Sequence, residues 1–239
     1  MARSSSGATI PGKELFLYDL HLYVDMGVGI GGDRWPAAES FCDFMLDSQY
    51  HEFFATLFHN KRVVELGAGN GMAGLLVGKT FPNVAEVVVT DAQDHLDLMN
   101  KNIAMNSTTI SNVHAHVLDW LQPHTAELGK FDIVLALECI YREALYQPLI
   151  DSLHSVCHED TVIFLGLTRN FGKALFFEQL AAAGFDYTMV PHECTEPSTR
   201  RKEGSDDVGL FVVQRRKVSD RLVVMLSGEA TGTALGTTS

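Results

Sequence analysis

A glycine-rich loop, Glu65-Leu66-Gly67-Ala68-Gly69-Asn70-Gly71, separates an apolar stretch of the sequence from a helix-like one. Glycine adopts positive φ angles without strain and lets a bound molecule approach the backbone closely. The helix that follows would present free N–H groups to a negatively charged part of that molecule. Glu65 adds a carboxylate at the end of an apolar strand, which is costly unless a partner meets it. The loop therefore indicates a binding site for a small polar ligand.

The same glycines fit two other nucleotide-binding patterns. Gly69–Gly74 has the spacing GxGxxG, and Asp91 follows 22 positions after Gly69, as in folds that bind dinucleotides. Residues 73–80, AGLLVGKT, nearly match a phosphate-binding loop, in which a helix must begin at the Lys-Thr pair. Pro82 follows this pair closely and the next strand begins almost at once, which leaves no room for that helix. We set the phosphate-binding loop aside and keep the dinucleotide pattern as an alternative.

Glu65 favours a third interpretation, which is typical of S-adenosylmethionine-dependent methyltransferases. In that arrangement the carboxylate supports the loop and faces the cofactor's amino group. S-adenosylmethionine has no pyrophosphate, so the helix N-terminus would meet its carboxylate instead. Asp91, at the end of the next strand, is placed to accept hydrogen bonds from both ribose hydroxyls. In the plainer alternative, the glycines only form a tight turn and Asp91 caps the next helix.

Asp119-Trp120 ends the third predicted strand, a position that lies beside the adenine in this topology. Asp119 could accept a hydrogen bond from the exocyclic amine, and Trp120 could cover the ring. In the alternative interpretation, Asp119 caps a turn and Trp120 belongs to the core. The sequence leaves both interpretations open.

Strand-like and helix-like stretches alternate along most of the chain. Strands that are apolar on both faces and alternate with helices indicate a mostly parallel sheet covered on both sides. The last two strands have no helix between them and should pair antiparallel. We predict a Rossmann-like α/β fold, with a seven-stranded mostly parallel sheet, an antiparallel last strand, helices on both faces and a short N-terminal β/α extension. The predicted strands are 62–66, 85–90, 113–118, 131–137, 161–167, 185–190 and 208–215, with one or two more within 14–24, and the predicted helices are 36–46, 48–59, 71–80, 93–105, 142–157 and 171–183.

The fourth strand of this sheet ends at Leu135-Ala136-Leu137-Glu138-Cys139-Ile140-Tyr141, and Glu138 places a charge just past an apolar segment. Ligands of open α/β sheets bind at such carboxyl ends. Methyltransferases that act on nucleobase nitrogens carry an acid or Asn, two prolines and an aromatic residue here, and this chain has no proline in the segment. Together with the net charge of -12, this argues against nucleic acid as a partner.

These motifs together resemble lysine methyltransferase family 16, seven-strand enzymes that modify lysines on chaperones, ATPases and translation factors. The resemblance covers roughly residues 15–213 in the family's order. The family's last motif is Asp-x-x-Tyr, and this chain has Glu instead, which keeps the charge and lengthens the arm. The matching segments are Trp35-Pro36-Ala37-Ala38, Val64 to Gly71, Thr90-Asp91, Leu118-Asp119-Trp120 and Glu138-Cys139-Ile140-Tyr141.

The resemblance implies roles for individual residues. Glu138 and Tyr141 would be the catalytic pair that faces the substrate nitrogen. A lysine ammonium, with an ordinary pKa of about 10.4, must lose a proton before it attacks the methyl group; Glu138 could orient the amine and Tyr141 could form a wall of the site. Alternatively, Glu138 belongs to a surface ion pair and Tyr141 to the core. The predicted cofactor-binding residues are Trp35, Glu65, Gly67, Ala68, Gly69, Asn70, Gly71, Asp91, Ala92, Asp119, Trp120 and Leu137.

Composition sets the broader expectations. The acidic chain suits a cationic partner, here a lysine-bearing protein substrate. The four cysteines form no CxxC pair, and the histidines lack further ligands at suitable spacing, so neither a disulfide framework nor a metal site is predicted. With no signal-like or membrane-spanning stretch, we expect a monomer in the cytoplasm, with the nucleus as a further possibility, and no membrane or nucleic-acid partner.

The predicted organisation is one methyltransferase domain, 61–226, with an N-terminal extension, 13–60, packed on it and disordered tails at 1–12 and 227–239. Other functions stay open at this stage. A small-molecule N-methyltransferase acting on a nicotinamide-like acceptor would use the same motifs. An NAD-dependent oxidoreductase would use the GxGxxG pattern, and a binding module would retain the cofactor without catalysis.

Overall fold

The computed structural model describes residues 12–122, 128–168, 173–191 and 208–217 of the 239-residue chain. The predicted tail 227–239 and most of the predicted tail 1–12 lie outside these ranges. The predicted helix start at Phe171 lies outside them as well.

Seven strands of the described chain pair into one sheet. They are β3 (Arg62–Leu66), β4 (Glu86–Asp91), β5 (Val113–Val117), β6 (Phe131–Leu137), β7 (Cys157–Thr168), β8 (Phe185–Met189) and β9 (Val208–Arg215). Their order in the sheet is β5-β4-β3-β6-β7-β9-β8. Neighbours from β5 to β7 run parallel, whereas β9 is antiparallel to both β7 and β8. The predicted sheet and its antiparallel end are confirmed.

Helices cover both faces of this sheet. They are α1 (Pro36–Leu46), α2 (His51–Phe58), α3 (Met72–Thr80), α4 (Leu96–Met105), α5 (Tyr146–Val156) and α6 (Ala174–Ala182). Side chains alternate between the faces along each strand, so Val63 packs with Phe41 of α1, whereas its neighbour Val64 belongs to the opposite layer with Leu149 of α5. Both layers exclude water, which is why the central strands are apolar almost throughout.

Residues 13–24 form an antiparallel hairpin of two strands, β1 (Lys13–Leu17) and β2 (Leu20–Val24). The turn between them consists of Tyr18 and Asp19, both with positive φ, as tight hairpin turns require. The sequence predicted either one strand or two within residues 14–24, and the structure has two.

Two asparagine side chains on α4 attach the hairpin to the main domain. The amide oxygen of Asn102 accepts from the Tyr23 N–H at 2.6 Å, and its amide nitrogen donates to the Tyr23 carbonyl at 3.0 Å. Asn106, one helical turn later, makes the same pair of bonds with His21 at 3.1 and 2.7 Å. The two amides therefore supply hydrogen-bond partners to the backbone N–H and carbonyl groups of β2, as a neighbouring strand would.

Two predicted helix boundaries were wrong. The helix predicted over 48–59 begins only at His51, because the Asp47 side chain accepts from the Gln49 N–H at 2.8 Å and the chain turns there. The helix predicted over 142–157 begins at Tyr146, so that Pro148 falls in its first turn, where no N–H is required. Cys157 belongs to β7, which is longer than the predicted strand 161–167.

Within the described ranges, no helix has the length and apolar character needed to cross a membrane.

Candidate active site

A cavity of about 880 Å³ opens at the carboxyl ends of β3, β4 and β6. This is the edge at which open α/β sheets bind their ligands, and the volume lies in the range of ordinary ligand pockets. The structure brings the predicted site residues together here: each of them lines the cavity except Gly71, which instead precedes the first residue of α3. The charged residues of the lining are the acids Asp33, Glu65, Asp91, Asp119, Glu138 and Glu143 and the bases Arg34, Arg142 and Lys173.

Three residues of the glycine loop have a left-handed backbone conformation. Gly67, Gly69 and Gly71 have φ angles of 62°, 57° and 79°, a region that strains other residues. Two of these positions also lack space for a side chain. A Cβ at Gly69 would lie 2.3 Å from the Gly31 carbonyl oxygen, and one at Gly67 would lie 2.9 Å from the Trp120 ring. The loop therefore needs glycine both for its conformation and for its close neighbours.

Glu65 lies beneath this loop and is almost fully buried. Its carboxylate accepts a hydrogen bond from the Gly74 N–H in α3 at 2.8 Å, so it supports the loop as predicted. A Cβ at Gly74 would lie 2.4 Å from a Val89 methyl group, which explains why the GxGxxG spacing recurs here: the last glycine lets α3 approach β4. Burial, together with the charge of Asp91, raises the pKa of Glu65 from its ordinary 4.5 to about 8.

Asp91 is held by two backbone groups. One carboxylate oxygen accepts from the Gly69 N–H and the other from the Ala92 N–H, both at 2.7 Å. Each oxygen keeps a further lone pair, because an ionised carboxylate has about four acceptor positions. His95 lies beside it, with Nδ1 3.4 Å from Asp91 Oδ1. Asp91 therefore fixes the loop and still offers two oxygens to the cavity.

Asn70 joins the glycine loop to the segment before α1. Its side chain donates to the Asp33 carbonyl at 2.9 Å and accepts from the Met72 N–H at 3.0 Å. Its own carbonyl accepts from the Asn102 side chain at 2.8 Å. The predicted binding residue Asn70 thus holds one wall of the cavity in place.

The far end of the cavity contains Asp119 and Trp120. Asp119 accepts from the Leu121 N–H at 2.9 Å, so it caps a turn, and it lines the cavity as well. The Trp120 ring packs against Gly67, and its indole Nε1 is buried without a hydrogen-bond partner among the described residues. An unsatisfied buried donor in a cavity wall is a position where a ligand acceptor would bind.

Glu138 lies at the opposite end, with a φ of 64° that is unusual for a residue with a side chain. Its carboxylate accepts from the Thr168 N–H at 3.0 Å, from the Thr168 hydroxyl at 2.8 Å and from the Ala37 N–H at 3.3 Å. Ala37 is in the first turn of α1, so the helix dipole also favours the negative charge. The longer arm of Glu138 is therefore fixed to β7 and α1, which the sequence did not reveal.

Tyr141 follows on the cavity rim and leaves 47% of its surface exposed. Its partial burial and the neighbouring Cys139 and Asp91 raise the pKa of the phenol, which keeps it neutral at physiological pH. The Arg142 guanidinium carbon lies 5.8 Å from the Tyr141 ring centre. The ring thus stands at the cavity rim and is accessible to a cation.

Several cavity residues escaped the sequence analysis. His95 lies beside Asp91 and Gly31, Thr168 donates to Glu138, and Lys173 belongs to the same lining. Each comes from a segment without a recognisable motif. For Thr168, the position at the end of an apolar strand was the one available signal.

S-adenosylmethionine fits this arrangement on three observations. The left-handed glycines bring the loop backbone to the cavity wall, Asp91 keeps free lone pairs for a diol, and the Trp120 N–H has no partner within the described ranges. The sheet order with its antiparallel end and the site at the carboxyl ends of the strands define the chain as a methyltransferase that depends on S-adenosylmethionine.

Comparison with known proteins identifies the family. The profile described as "Lysine methyltransferase" matches residues 17–183, more than two thirds of the chain, and the chain belongs to this family. It is 30% identical over 147 residues to the protein-lysine N-methyltransferase EFM6 of Saccharomyces cerevisiae. The aligned region covers 54% of this chain and 59% of that protein. It is 28% identical over 168 residues to the EEF1A lysine methyltransferase 3 of Mus musculus, which covers 70% of this chain and 68% of that protein.

Solved structures share the fold. A TehB-like S-adenosylmethionine-dependent methyltransferase from Corynebacterium glutamicum superposes with a TM-score of 0.51 at 17% identity, over 78% of this chain and 90% of that one. A putative methyltransferase complexed with SAH gives a TM-score of 0.54 at 13% identity, over 85% of this chain and 56% of that one. The predicted fold class, cofactor and family are confirmed.

Proposed function

We propose that this chain transfers a methyl group from S-adenosylmethionine to the side-chain amine of a lysine in a protein substrate. The observation that carries this proposal is the position of Glu138. A carboxylate fixed by three hydrogen bonds lies at the end of the cofactor cavity, close to the exposed ring of Tyr141. The family membership supports the lysine acceptor.

The glycine end of the cavity would hold the cofactor. The positive end of the α3 dipole would attract its carboxylate, although the Met72 and Gly74 N–H groups there already bind Asn70 and Glu65, and Glu65 would meet its ammonium. Asp91 would accept from the ribose hydroxyls, while Trp120 and Asp119 would contact the adenine. When bound, S-adenosylmethionine supplies an electrophilic methyl group on a positively charged sulfur.

At the other end, Glu138 would orient the incoming amine. Its Oε2 accepts two hydrogen bonds, from Ala37 and the Thr168 hydroxyl, whereas Oε1 accepts one from the Thr168 N–H and keeps a lone pair for an amine N–H. Tyr141 would present its ring face to the cationic head group. Most of the acceleration would come from alignment of the nitrogen with the carbon–sulfur bond, since an oriented amine attacks far more often than a free one.

The names of two relatives suggest which proteins to test first. One relative is the EEF1A lysine methyltransferase 3 of Mus musculus, and another is a calmodulin-lysine N-methyltransferase of Arabidopsis thaliana, 27% identical over 164 residues. The net charge of -12 favours a substrate whose acceptor lysine lies in a basic segment. The proteins in these two names, EEF1A and calmodulin, are therefore the first candidates.

The test is incubation of the purified chain with methyl-tritiated S-adenosylmethionine and cell lysate, then with each purified candidate. We expect label in protein that acid hydrolysis recovers as methyllysine. The control Asp91→Asn should lose about 10–100-fold in cofactor affinity, because the Gly69 and Ala92 N–H groups then share a single acceptor oxygen. Label found only in small metabolites would contradict the lysine assignment and favour a small-molecule acceptor.

A further inference from the structure

Lys173 lies in the wall of the proposed acceptor end of the cavity. It directly precedes α6, and its carbonyl accepts from the Phe176 N–H at 3.1 Å, which fixes its backbone at the helix start. It lines the same cavity as Glu138 and Thr168, and the negative charge of Glu138 acts on its amine. A lysine of the chain itself therefore lines the cavity to which we assign a substrate lysine.

Most other lysines of the described chain have partners elsewhere. The Lys61 Nζ lies 3.4 Å from Asp132, the Lys130 Nζ donates to the Ser155 carbonyl at 2.8 Å, and the Lys101 Nζ lies over the Tyr23 ring. For Lys173, no carboxylate within the described ranges lies at ion-pair distance. Its amine is thus a cavity group with no fixed partner.

The surroundings of Lys173 also suit an acceptor. Partial burial lowers the pKa of its ammonium, and the negative charge of Glu138 opposes this shift. Burial therefore increases the fraction of neutral amine, the form that attacks a methyl group, while Glu138 acts on Lys173 through its charge and not through a hydrogen bond.

We propose that Lys173 is a site of self-methylation, in which one molecule modifies its own chain. The proposal rests on the proposed function of the same cavity. After the ammonium has released a proton to solvent, the Nζ lone pair forms a bond to the methyl carbon. The carbon–sulfur bond breaks and leaves its electron pair on sulfur, so that the products are S-adenosylhomocysteine and a methylammonium. Tethering to α6 replaces a bimolecular encounter with an intramolecular one.

The first experiment incubates the full chain with S-adenosylmethionine and maps its lysines by peptide mass spectrometry. We expect added methyl groups on Lys173, lost in Lys173→Arg, retained in the control Lys101→Arg and absent in Asp91→Asn. The first-order rate constant should not change with protein concentration. A rate constant that rises with concentration would show transfer between molecules and would overturn the proposal.

The second experiment needs no turnover. Trace acetic anhydride labels lysine amines, and saturating S-adenosylhomocysteine should reduce the label on Lys173 while leaving that on Lys101 unchanged. Unchanged labelling of Lys173 would overturn the proposal, since its amine would then not face the cofactor. An enzyme that methylates a protein substrate but leaves Lys173 unmodified also overturns it and spares the proposed function. Failure to bind S-adenosylhomocysteine or to label any protein would instead defeat the proposed function itself.

Discussion

The two ends of the cavity are built in different ways. The cofactor end is centred on one continuous segment, from Glu65 to the start of α3, with Asp91, Asp119 and Trp120 at the ends of the next two strands. The acceptor end combines Glu138 with Thr168 of β7 and Ala37 of α1, which are far apart in sequence. The left-handed backbone of a glycine loop shapes the first end, whereas the contacts of one carboxylate with two distant elements shape the second.

This difference separates two kinds of constraint. Left-handed glycines and backbone N–H groups offer little room for change, because a new side chain would strain or block the loop. A carboxylate held by a hydroxyl and two N–H groups can be repositioned by exchanging single side chains.

The largest effect should come from Gly69→Ala. A left-handed φ of 57° costs an alanine about 1–2 kcal/mol, and its Cβ would also lie 2.3 Å from the Gly31 oxygen. We expect the affinity for S-adenosylhomocysteine to fall by about 100-fold or more, roughly 2.7 kcal/mol, as measured by calorimetry. Thermal unfolding should also begin at a lower temperature.

Gly71→Ala is the matched control for this change. Its φ is 79°, but a Cβ there would meet nothing closer than 3.7 Å, so the strain is present without the clash. We expect a similar loss of stability with a much smaller loss of affinity. Equal losses of affinity in both variants would show that backbone strain alone, and not contact with Gly31, governs the cofactor end.

Glu65→Gln should give the next largest effect, on the pH dependence of stability. The folded protein keeps the Glu65 proton up to about pH 8, whereas the unfolded chain releases it near 4.5. Unfolding therefore releases a proton between these values, and the stability of the ligand-free wild type falls as pH rises, by at most about 1.4 kcal/mol per pH unit. Below pH 4.5 both the folded and the unfolded state are protonated, so Glu65 adds no pH dependence to the free energy of unfolding there.

Glutamine keeps an acceptor oxygen for the Gly74 N–H and does not ionise. Urea unfolding of the ligand-free variant should therefore show a flatter pH dependence between 4.5 and 8 than that of the wild type. Above pH 8, where Glu65 is ionised, the affinity of the variant for S-adenosylmethionine should be weaker than that of the wild type, because the cofactor's ammonium loses a negative partner. Parallel pH profiles for the two proteins would mean that Glu65 is ionised in the folded state.

Much of the fold and of the cofactor end could be predicted from sequence, because their signals are local. The apolar strand before Glu65, the glycines and the Asp91 that follows are each visible within a few residues. The boundaries of α2 and α5 could not be predicted from sequence, since they depend on the Asp47 side chain and on the position of Pro148. Neighbouring residues decide such helix ends more than periodicity does.

The acceptor end was less accessible to prediction. Glu138 and Tyr141 were found through a family motif, but no local pattern indicated that Thr168 and Ala37 would hold the carboxylate. Lys173 belongs to no motif, and only the parallel arrangement of β6 and β7 brings it to the site. Contacts between distant segments depend on the tertiary fold, which composition and spacing do not encode directly.

The smallest effect should come from Glu138→Gln, and it tests whether the two ends act separately. Glutamine retains the shape but loses the charge and presents an N–H₂ group to one of the donors that now bind Glu138. We expect kcat/KM for a protein substrate to fall about tenfold, near 1.4 kcal/mol, with affinity for S-adenosylhomocysteine changed less than about twofold. Glu143→Gln, on the same cavity rim but without these bonds, serves as the control and should leave kcat/KM near that of the wild type. If Glu138→Gln instead weakened cofactor binding as strongly as turnover, the separation between the cofactor end and the acceptor end would not hold, because α1 and β7 would then transmit the change to the glycine loop.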